Sequence, residues 1–480
     1  MKSTLLLLLM TLSTTAVAQT PLEPQALAHS IFKELIEINT TDSVGNVTLA
    51  AEAVAKRLRE AGFPERDVIV AGPNERKKNL VVRIHGTGQR KPILFIGHLD
   101  VVEARRDDWT TDPFQLVEKD GYFYGRGSED MKEGDAILAT NFIRLKHEGF
   151  APDRDLILAL TADEEGGNYN GVDWLLKEHR DWIDAEYCIN LDGGEFERQN
   201  NKRLLAAIQA SEKVYADYQF ESLNSGGHSS APIPDNAIYH LAGALARLQI
   251  FSFPVKVNEI TRNFFEHRAT LTSGSVAADL RGAAKQPPDA AAVSRLTAVP
   301  YYNSLLRTTC VATMLTGGHA PNALPQTARA NVNCRIFPGE DPEEVRRTLE
   351  RVAADPKVSV SLVSQRSVDG KPLPIVTVPP SPLLPDVVNA VKKTLGEMWP
   401  GVPVVPTMSA GASDGKFTRI AGIPTFGISC MFFELGDNRA HGKDERIGVQ
   451  DFYDGLNFNY KLIRTLASGG TPVAGRSGLR

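Results

Sequence analysis

Short apolar segments that alternate with helical segments constrain the fold of this 480-residue sequence more than any other feature. The apolar segments have the length and composition of buried strands, and they occupy 79–86, 91–97, 155–162 and 185–192. Segments with helical periodicity separate or flank them at 25–38, 47–62, 136–149 and 171–179. Strands that alternate with helices predict an α/β domain with a largely parallel central sheet flanked by helices.

The pattern changes after residue 210, where the predicted order is strand, helix, strand, strand, helix, strand. This order predicts a ferredoxin-like α+β domain inserted into the larger domain. We expect the larger domain to comprise 19–210 and 372–467, the inserted domain 211–371, and a flexible tail 468–480. Within the insertion, the stretch of roughly 251–303 is predicted to be irregular because it shows no clear periodicity.

The N-terminus has the organisation of a secretory signal peptide. Lys2 precedes a short leucine run, and small residues follow at Ala16 and Ala18. The run is too short to span a bilayer, so we expect cleavage after Ala18 and a periplasmic or secreted protein. A net charge of −5 gives no reason to expect nucleic acid or an anionic membrane as a partner.

The four cysteines do not form a Cys-x-x-Cys pair, so they do not predict a thiolate zinc site. Cys310 and Cys334 flank a predicted turn near Asn322, where they could face each other across a hairpin. In an oxidising compartment they could form a disulfide. Two buried free thiols are the alternative, and the sequence leaves both open.

Histidines and carboxylates recur where predicted strands end or where loops lead into helices, namely His98, Asp100, Asp130, Glu164, Glu165, Asp192 and His441. Imidazole and carboxylate ligands without cysteine suit Zn²⁺, and less exclusively Mn²⁺ or Co²⁺. Their number suits two ions that share a bridging carboxylate, with one carboxylate left as a general base. Adjacent residues of an extended strand point to opposite faces, so Glu164 and Glu165 are expected to have different roles. Each residue alone would also fit a surface or turn position.

Several motifs in this order resemble one known family. They are GHLDVV (97–102), DGYFYGRGSEDMK (120–132), TADEEGG (161–167), GGHSSAP (226–232), APNALP (320–325) and a C-terminal His-Gly. The resemblance, over about residues 25–465, is to the aminoacylase, glutamate carboxypeptidase and succinyl-diaminopimelate desuccinylase family. These are co-catalytic zinc hydrolases, counted as metallopeptidase family twenty. Its fold, a zinc-binding α/β domain with an inserted ferredoxin-like lid, agrees with the predicted elements.

The resemblance implies a role for each candidate residue. His98 and Asp192 would bind one zinc ion, and Glu165 and His441 would bind the other. Asp130 would bridge the two ions, Glu164 would be the general base, and Asp100 would orient His98 from behind. His228 resembles the lid histidine that polarises the scissile carbonyl, often across a dimer. A loop histidine that caps the following helix is the alternative.

Substrate contacts are implied with less precision. Asn322 and Arg335 match positions that hold substrate oxygens and a substrate carboxylate, and an arginine fork suits a carboxylate. A surface strand arginine is the alternative for Arg335. The segment from Gly411 to Asp414 matches a loop that faces the substrate.

Two positions depart from the family pattern. Glu133 stands where the family usually has glycine, and Asp192 stands where many members have glutamate. In the family, aspartate at the position of Asp192 accompanies dipeptidase-like and aminopeptidase-like members and some carboxypeptidases. We therefore expect an exported enzyme with two Zn²⁺ ions, acting on small peptides with a free C-terminal carboxylate. An N-acyl-amino-acid deacylase is the first alternative and a non-catalytic periplasmic binding protein is the second.

Overall fold

The computed structural model describes residues 22–363 and 375–468 of the chain. The predicted signal peptide with its cleavage site after Ala18 lies outside the described residues, as does the predicted tail beyond residue 468. The predicted boundary between the inserted domain and the second part of the larger domain, at 371, also lies outside them.

The strands of the described residues are, in chain order, β1 (Val68–Ala71), β2 (Asn79–Ile84), β3 (Ile93–His98), β4 (Val117–Lys119), β5 (Tyr122–Tyr124), β6 (Leu156–Thr161), β7 (Tyr187–Asn190), β8 (Phe196–Gln199), β9 (Lys202–Glu212), β10 (Val214–Leu223), β11 (Gly227–His228), β12 (Thr309–Gly317), β13 (Ala323–Leu324), β14 (Thr327–Ile336), β15 (Val358–Val363), β16 (Val404–Ser409), β17 (Thr425–Gly427), β18 (Phe432–Glu434) and β19 (Arg446–Gly448).

The helices are α1 (Pro24–Glu37), α2 (Val47–Glu60), α3 (Lys132–His147), α4 (Gly171–Glu178), α5 (Arg180–Ile183), α6 (Ala237–Ile250), α7 (Glu259–Leu271), α8 (Gly274–Ala283), α9 (Ala290–Leu296), α10 (Pro300–Leu306), α11 (Pro342–Ala353), α12 (Pro385–Met398), α13 (Gly415–Ile420) and α14 (Val449–Leu466).

The large sheet has ten strands in the order β1-β2-β6-β3-β7-β17-β9-β8-β18, with β16 paired to β9. Its centre is parallel, since β3 pairs in parallel with β6 and β7, and β7 pairs in parallel with β17. Antiparallel pairs lie to either side, for example β1 with β2 and β8 with β9. The predicted α/β class with a largely parallel centre is confirmed.

Both faces of the sheet are covered by helices, because alternate residues of its central strands enter different cores. Ile93 and Phe95 of β3 pack in the main core, which includes side chains of α1, α2, α3 and α14. Leu94 and Ile96 pack in a second core, with side chains of α4 and α5. Because β3 runs parallel to both β6 and β7, the carboxyl ends of these three strands lie at one edge of the sheet.

The inserted domain contains a four-stranded antiparallel sheet in the order β12-β14-β10-β15. With α6 between β10 and β12, and α11 between β14 and β15, it has the predicted ferredoxin-like order. Cys310 of β12 is directly opposite Cys334 of β14, and the two form a disulfide. Cys188 and Cys430 are buried free thiols.

The prediction of an irregular stretch at 251–303 is wrong, because this stretch contains α7, α8, α9 and most of α10. Ile260, Phe264 and Phe265 of α7 are buried in the main core of the larger domain rather than in the core of the small sheet. The chain thus leaves the inserted domain, packs on the larger domain and returns. No helix in the described residues has both the length and the apolar character of a membrane span.

Candidate metal centre

The ends of three adjacent parallel strands bring together most of the predicted ligands. His98 is the last residue of β3, Glu164 and Glu165 follow β6, and Asp192 follows β7. Loops supply the other two ligands, since Asp130 precedes α3 and His441 precedes β19. Side chains from positions 98 to 441 therefore meet at the carboxyl edge of the sheet, where α/β domains form their sites.

The Asp130 carboxylate lies between the two histidines. Its Oδ1 atom is 3.1 Å from Nε2 of His98, and its Oδ2 atom is 3.1 Å from Nε2 of His441. Nε2 of His441 also lies 2.9 Å from Oε1 of Glu165. Because each oxygen of one carboxylate faces a different imidazole, Asp130 is placed to join two metal positions.

Two overlapping groups of side chains offer ligand atoms within 4.8 Å of one another. One group contains His98, Glu164 and Asp192, and the other contains His98, Asp130 and Glu165. The donors are imidazole nitrogens and carboxylate oxygens, which fit Zn²⁺ and also Mn²⁺ or Co²⁺. The structure brings His98 and Asp192 together as predicted, but it also places Glu164, the predicted base, in their group.

The centre brings several buried carboxylates close together. Burial raises the pKa values of Glu164 and Asp192 well above the ordinary carboxyl range, and neighbouring carboxylates raise them further. Burial also acts on Asp130, but hydrogen bonds to both histidines outweigh it and lower the pKa of this carboxyl. Hydrogen bonds to Asp130 and Glu165 raise the pKa of His441 to about 10. A divalent cation would relieve the same repulsion.

Asp100 acts differently from the prediction. Its carboxylate lies 3.8 Å from Nδ1 of His98, whereas its backbone carbonyl lies 3.0 Å from that nitrogen. The Asp100 carboxylate instead accepts hydrogen bonds from the backbone N–H groups of Glu164, at 3.1 Å, and Glu165, at 3.0 Å. Asp100 thus orients His98 through its main chain and holds the glutamate pair through its side chain.

The glutamate pair does not lie on the extended strand. β6 ends at Thr161, and Asp163 has a positive φ of 58° that turns the chain before Glu164. The prediction that the pleat of an extended strand separates the Glu164 and Glu165 side chains is therefore wrong. Their different directions follow from the bend and from the hydrogen bonds to Asp100.

A buried ion pair that the sequence analysis missed joins the two ligand loops. Arg126 and Glu445 are 3% and 0% exposed and form a direct salt bridge. Oε1 of Glu445 accepts hydrogen bonds from the backbone N–H groups of Glu129 and Asp130, at 2.8 and 3.2 Å. Arg126 also donates to the carbonyl of His441. The sequence does show that Arg126 lies near Asp130 and that Glu445 lies near His441. Charge alone, however, does not indicate that these two side chains are buried or paired.

The inserted domain brings two predicted residues together in a small ribbon. His228 on β11 pairs with Ala323 on β13, and the N–H of Ser229 donates to the carbonyl of Asn322. His228 and Asn322 are exposed, and no contact joins either to the metal centre within the described residues. Arg335 lies on β14, with its guanidinium 4.8 Å from the ring centroid of Tyr215.

The loop after β16 is closer to the centre but does not present a free carboxylate. Asp414 is 4% exposed and accepts hydrogen bonds from Thr161 at 3.1 Å and Asn170 at 2.6 Å. Its carboxylate therefore supports the end of β6, and the prediction that the segment from Gly411 to Asp414 faces the substrate stays a prediction. The N–H of Gly411 donates to Ser409 within the same loop.

Comparison with known proteins places these features in a family context. Residues 94–465 match the model for Peptidase family M20/M25/M40. The human N-fatty-acyl-amino acid synthase/hydrolase PM20D1 is 27% identical over 405 residues, which cover 80% of this chain and 76% of the relative. A probable carboxypeptidase S-like 2 from Dictyostelium discoideum is 28% identical over 390 residues, covering 78% and 71%.

A solved structure shares the fold. The metallo-carboxypeptidase Sso-CP2 from Sulfolobus solfataricus superposes with a TM-score of 0.67 at 17% identity. The alignment covers 92% of this chain and 99% of that chain.

Proposed function

The chain belongs to Peptidase family M20/M25/M40, and from this premise we propose that it is a two-zinc exopeptidase that removes the C-terminal residue of small peptides. Membership makes the chain a metal-dependent hydrolase of amide bonds. The placement of Asp130 between His98 and His441 carries the proposal, because a bridging carboxylate is the central requirement of a two-metal site.

The proposed ligands are those of the family pattern, and the contacts of Asp130 and Glu165 with the two histidines support them. His98 and Asp192 would hold one zinc ion, Glu165 and His441 would hold the other, and Asp130 would join them. When bound, such ions lower the pKa of a shared water and polarise the substrate carbonyl. Mn²⁺ or Co²⁺ would suit the same donors.

Glu164 is the carboxylate that remains for proton transfer. Glu165 is engaged by His441, whereas the Glu164 carboxylate accepts no hydrogen bond from the described residues. Glu164 would take a proton from the attacking water and deliver it to the leaving amine. The backbone hydrogen bond from Glu164 to Asp100 fixes the position of this base.

The inserted domain would supply the groups that hold the substrate. Nδ1 of His228 accepts a hydrogen bond from the N–H of Ser230, so in the neutral ring Nε2 carries the proton and can donate to a developing oxyanion. Arg335 has no ion-pair partner among the described residues and could bind the C-terminal carboxylate. Asn322, beside His228 in the ribbon, would hold a substrate oxygen.

A deacylase is the second candidate, because the human relative is named for N-fatty-acyl-amino acids. The deciding experiment measures kcat/KM of the zinc-loaded protein on dipeptides, N-acetyl amino acids and long-chain N-acyl amino acids. We expect the dipeptides to react fastest, with activity lost on chelation and restored by zinc. Faster hydrolysis of long-chain N-acyl substrates would favour the deacylase. Zinc binding without any hydrolysis would favour a non-catalytic binding protein.

The disulfide supports the proposal that the protein is exported to the periplasm or secreted. Disulfides persist in oxidising compartments, and Cys310 and Cys334 are bonded across neighbouring strands. Fractionation of producing cells, with N-terminal sequencing of the product, tests export and cleavage after Ala18. A product that stays in the cytosol and begins before residue 19 would contradict it.

A homodimer through the inserted domain is the third part of the proposal. β12 is an edge strand of the small sheet, and its Val311, Met314 and Leu315 are 60%, 67% and 68% exposed. An exposed apolar edge strand favours pairing with a second copy. Sedimentation should give a dimer for the wild type and a monomer for Met314→Glu. A wild type that is monomeric at every concentration would contradict this part alone.

A further inference from the structure

A small cavity borders the metal centre on the side of Asp130 and Asp192. Its volume is about 50 Å³, and both of these proposed ligands contribute to its wall. Three more carboxylates line it, those of Glu129, Glu133 and Glu195, and none of the lining residues is a lysine, arginine or histidine. The cavity therefore has an excess of negative charge that the metal ligands do not account for.

Glu133 is the carboxylate of this set whose environment most favours a bound ligand. It is 3% exposed, and its Oε2 atom has no hydrogen-bond partner within the described part of the chain. An unpaired buried carboxylate is costly unless a cationic or hydrogen-bonding group meets it. Glu133 also stands where the resembling family usually has glycine, so this carboxylate is a property of the present chain.

The other two carboxylates are arranged differently. Oε2 of Glu129 accepts a hydrogen bond from the backbone N–H of Arg439 at 2.8 Å, which orients this side chain without supplying a charged partner. Glu195 is exposed and lies three residues after Asp192. The set thus combines one buried, one half-buried and one exposed carboxylate.

We propose that this cavity binds a primary ammonium group on the acyl side of the scissile amide, so that the enzyme prefers aminoacyl to neutral acyl substrates. The inference rests on the proposed function, because it needs a substrate whose carbonyl lies at the metal centre. A group bonded close to that carbonyl would reach the wall formed by Asp130 and Asp192. A cavity of about 50 Å³ has no space for a fatty-acyl chain.

Two parts of a peptide could supply the ammonium group. The free α-amine of a dipeptide is one bond from the acyl Cα atom, whereas the amine of a lysyl side chain is several bonds away. The two sources share their chemistry, and substrates that carry only one of the two amines distinguish them.

The test compares the zinc-loaded wild type with Glu133→Gln and Glu195→Gln, with Glu178→Gln as a control on the exposed end of α4. The substrates are alanyl-phenylalanine, N-acetyl-alanyl-phenylalanine and N-acetyl-lysyl-phenylalanine. We expect the wild type to prefer a substrate with one amine over the neutral one by about tenfold or more, the effect of a hydrogen bond between charged groups. Glu133→Gln should reduce this preference by a similar factor, and Glu178→Gln should not change it.

The outcomes separate the inference from the proposed function. A wild type that hydrolyses none of the amides contradicts the proposed function. A wild type that hydrolyses the neutral substrate as well as the amines contradicts only the inference. If Glu133→Gln does not fold, the same ratio in Glu195→Gln decides. Metal analysis that finds three ions in the wild type and two in Glu133→Gln would assign the cavity to a cation and overturn the proposal.

Discussion

Hydrogen bonds to backbone amides set the direction of individual carboxylates at the metal centre. Asp100 accepts from the N–H groups of Glu164 and Glu165, and Glu445 accepts from those of Glu129 and Asp130. In both cases a carboxylate that is distant in sequence holds a short loop that carries metal ligands. Outer partners of this kind affect metal affinity almost as strongly as the ligands.

The proposed division of roles between the glutamates leads to the first prediction. Glu164→Gln should lower kcat by about a thousandfold, within the range for loss of a general base, while the zinc content stays near wild type. Glu165→Gln is the matched comparison. It should lose zinc as well as activity, because Glu165 and His441 are in contact and are the proposed ligands of one zinc ion. Activity assays and metal analysis of both variants provide the measurement. Full activity in Glu164→Gln would refute its role as the base.

The Arg126–Glu445 pair leads to the second prediction. Glu445→Gln leaves the buried Arg126 without its charged partner, and loss of one member of a buried pair costs about 3–5 kcal/mol. The loops that carry Asp130 and His441 should also loosen, which should weaken zinc binding by roughly 10-fold to 100-fold. Denaturant unfolding and zinc titration measure the two effects. Glu178→Gln is the exposed control, and wild-type zinc affinity in Glu445→Gln would contradict the positioning role.

Individual elements differ in how far the sequence determined them. β3 and β6 are fully buried and were predicted from their apolar runs, because a strand covered on both faces needs little else. Helices α7 to α10, which have 7 to 13 residues each, were missed because their segment shows no clear helical periodicity. Helices of this length depend on packing more than on propensity, and their packing partner is the distant large sheet.

An ion-pair cluster on α6 gives the third prediction. Nδ1 of His240 lies 2.7 Å from Asp355, which follows α11, and Nε2 lies 3.0 Å from Asp235, which precedes α6. The hydrogen bond to Asp355 is the main reason that the pKa of His240 is raised in the folded protein. Its stabilising effect is therefore complete below the ordinary histidine pKa of about 6.5 and is lost as the pH rises through the folded value.

We expect His240→Gln to lower the Tm more at pH 6 than at pH 9. Calorimetry at the two pH values measures the difference, and His319→Gln, in an exposed loop of the same domain, is the control. An equal loss of Tm at both pH values would show that His240 acts through packing and not through its charge.

At the scale of the whole molecule, the metal centre connects segments that span most of the chain. The ligands come from positions 98 to 441, and the inserted domain lies between Asp192 and His441 in sequence. The residue types and their positions at strand ends were predictable, because strands that alternate with helices run in parallel and place their carboxyl ends at one edge of the sheet. The partners of Asp100, Asp414 and Glu445 were not predictable, since they depend on which carboxylate oxygen faces which N–H or hydroxyl donor across the assembled loops.

This arrangement predicts that metal removal destabilises the whole larger domain. Two bound ions would join the loops that carry the ligands. They would also offset the burial and the repulsion between carboxylates, which together raise the pKa values of Glu164 and Asp192. A ligand that binds the folded state at a hundred times its Kd adds about 2.7 kcal/mol, which corresponds to a Tm shift on the order of 5 °C. Thermal unfolding with zinc and after chelation should show this difference. Asp130→Asn should show little of it, because the bridging carboxylate is absent. An equal response in both proteins would mean that zinc stabilises the fold at another position.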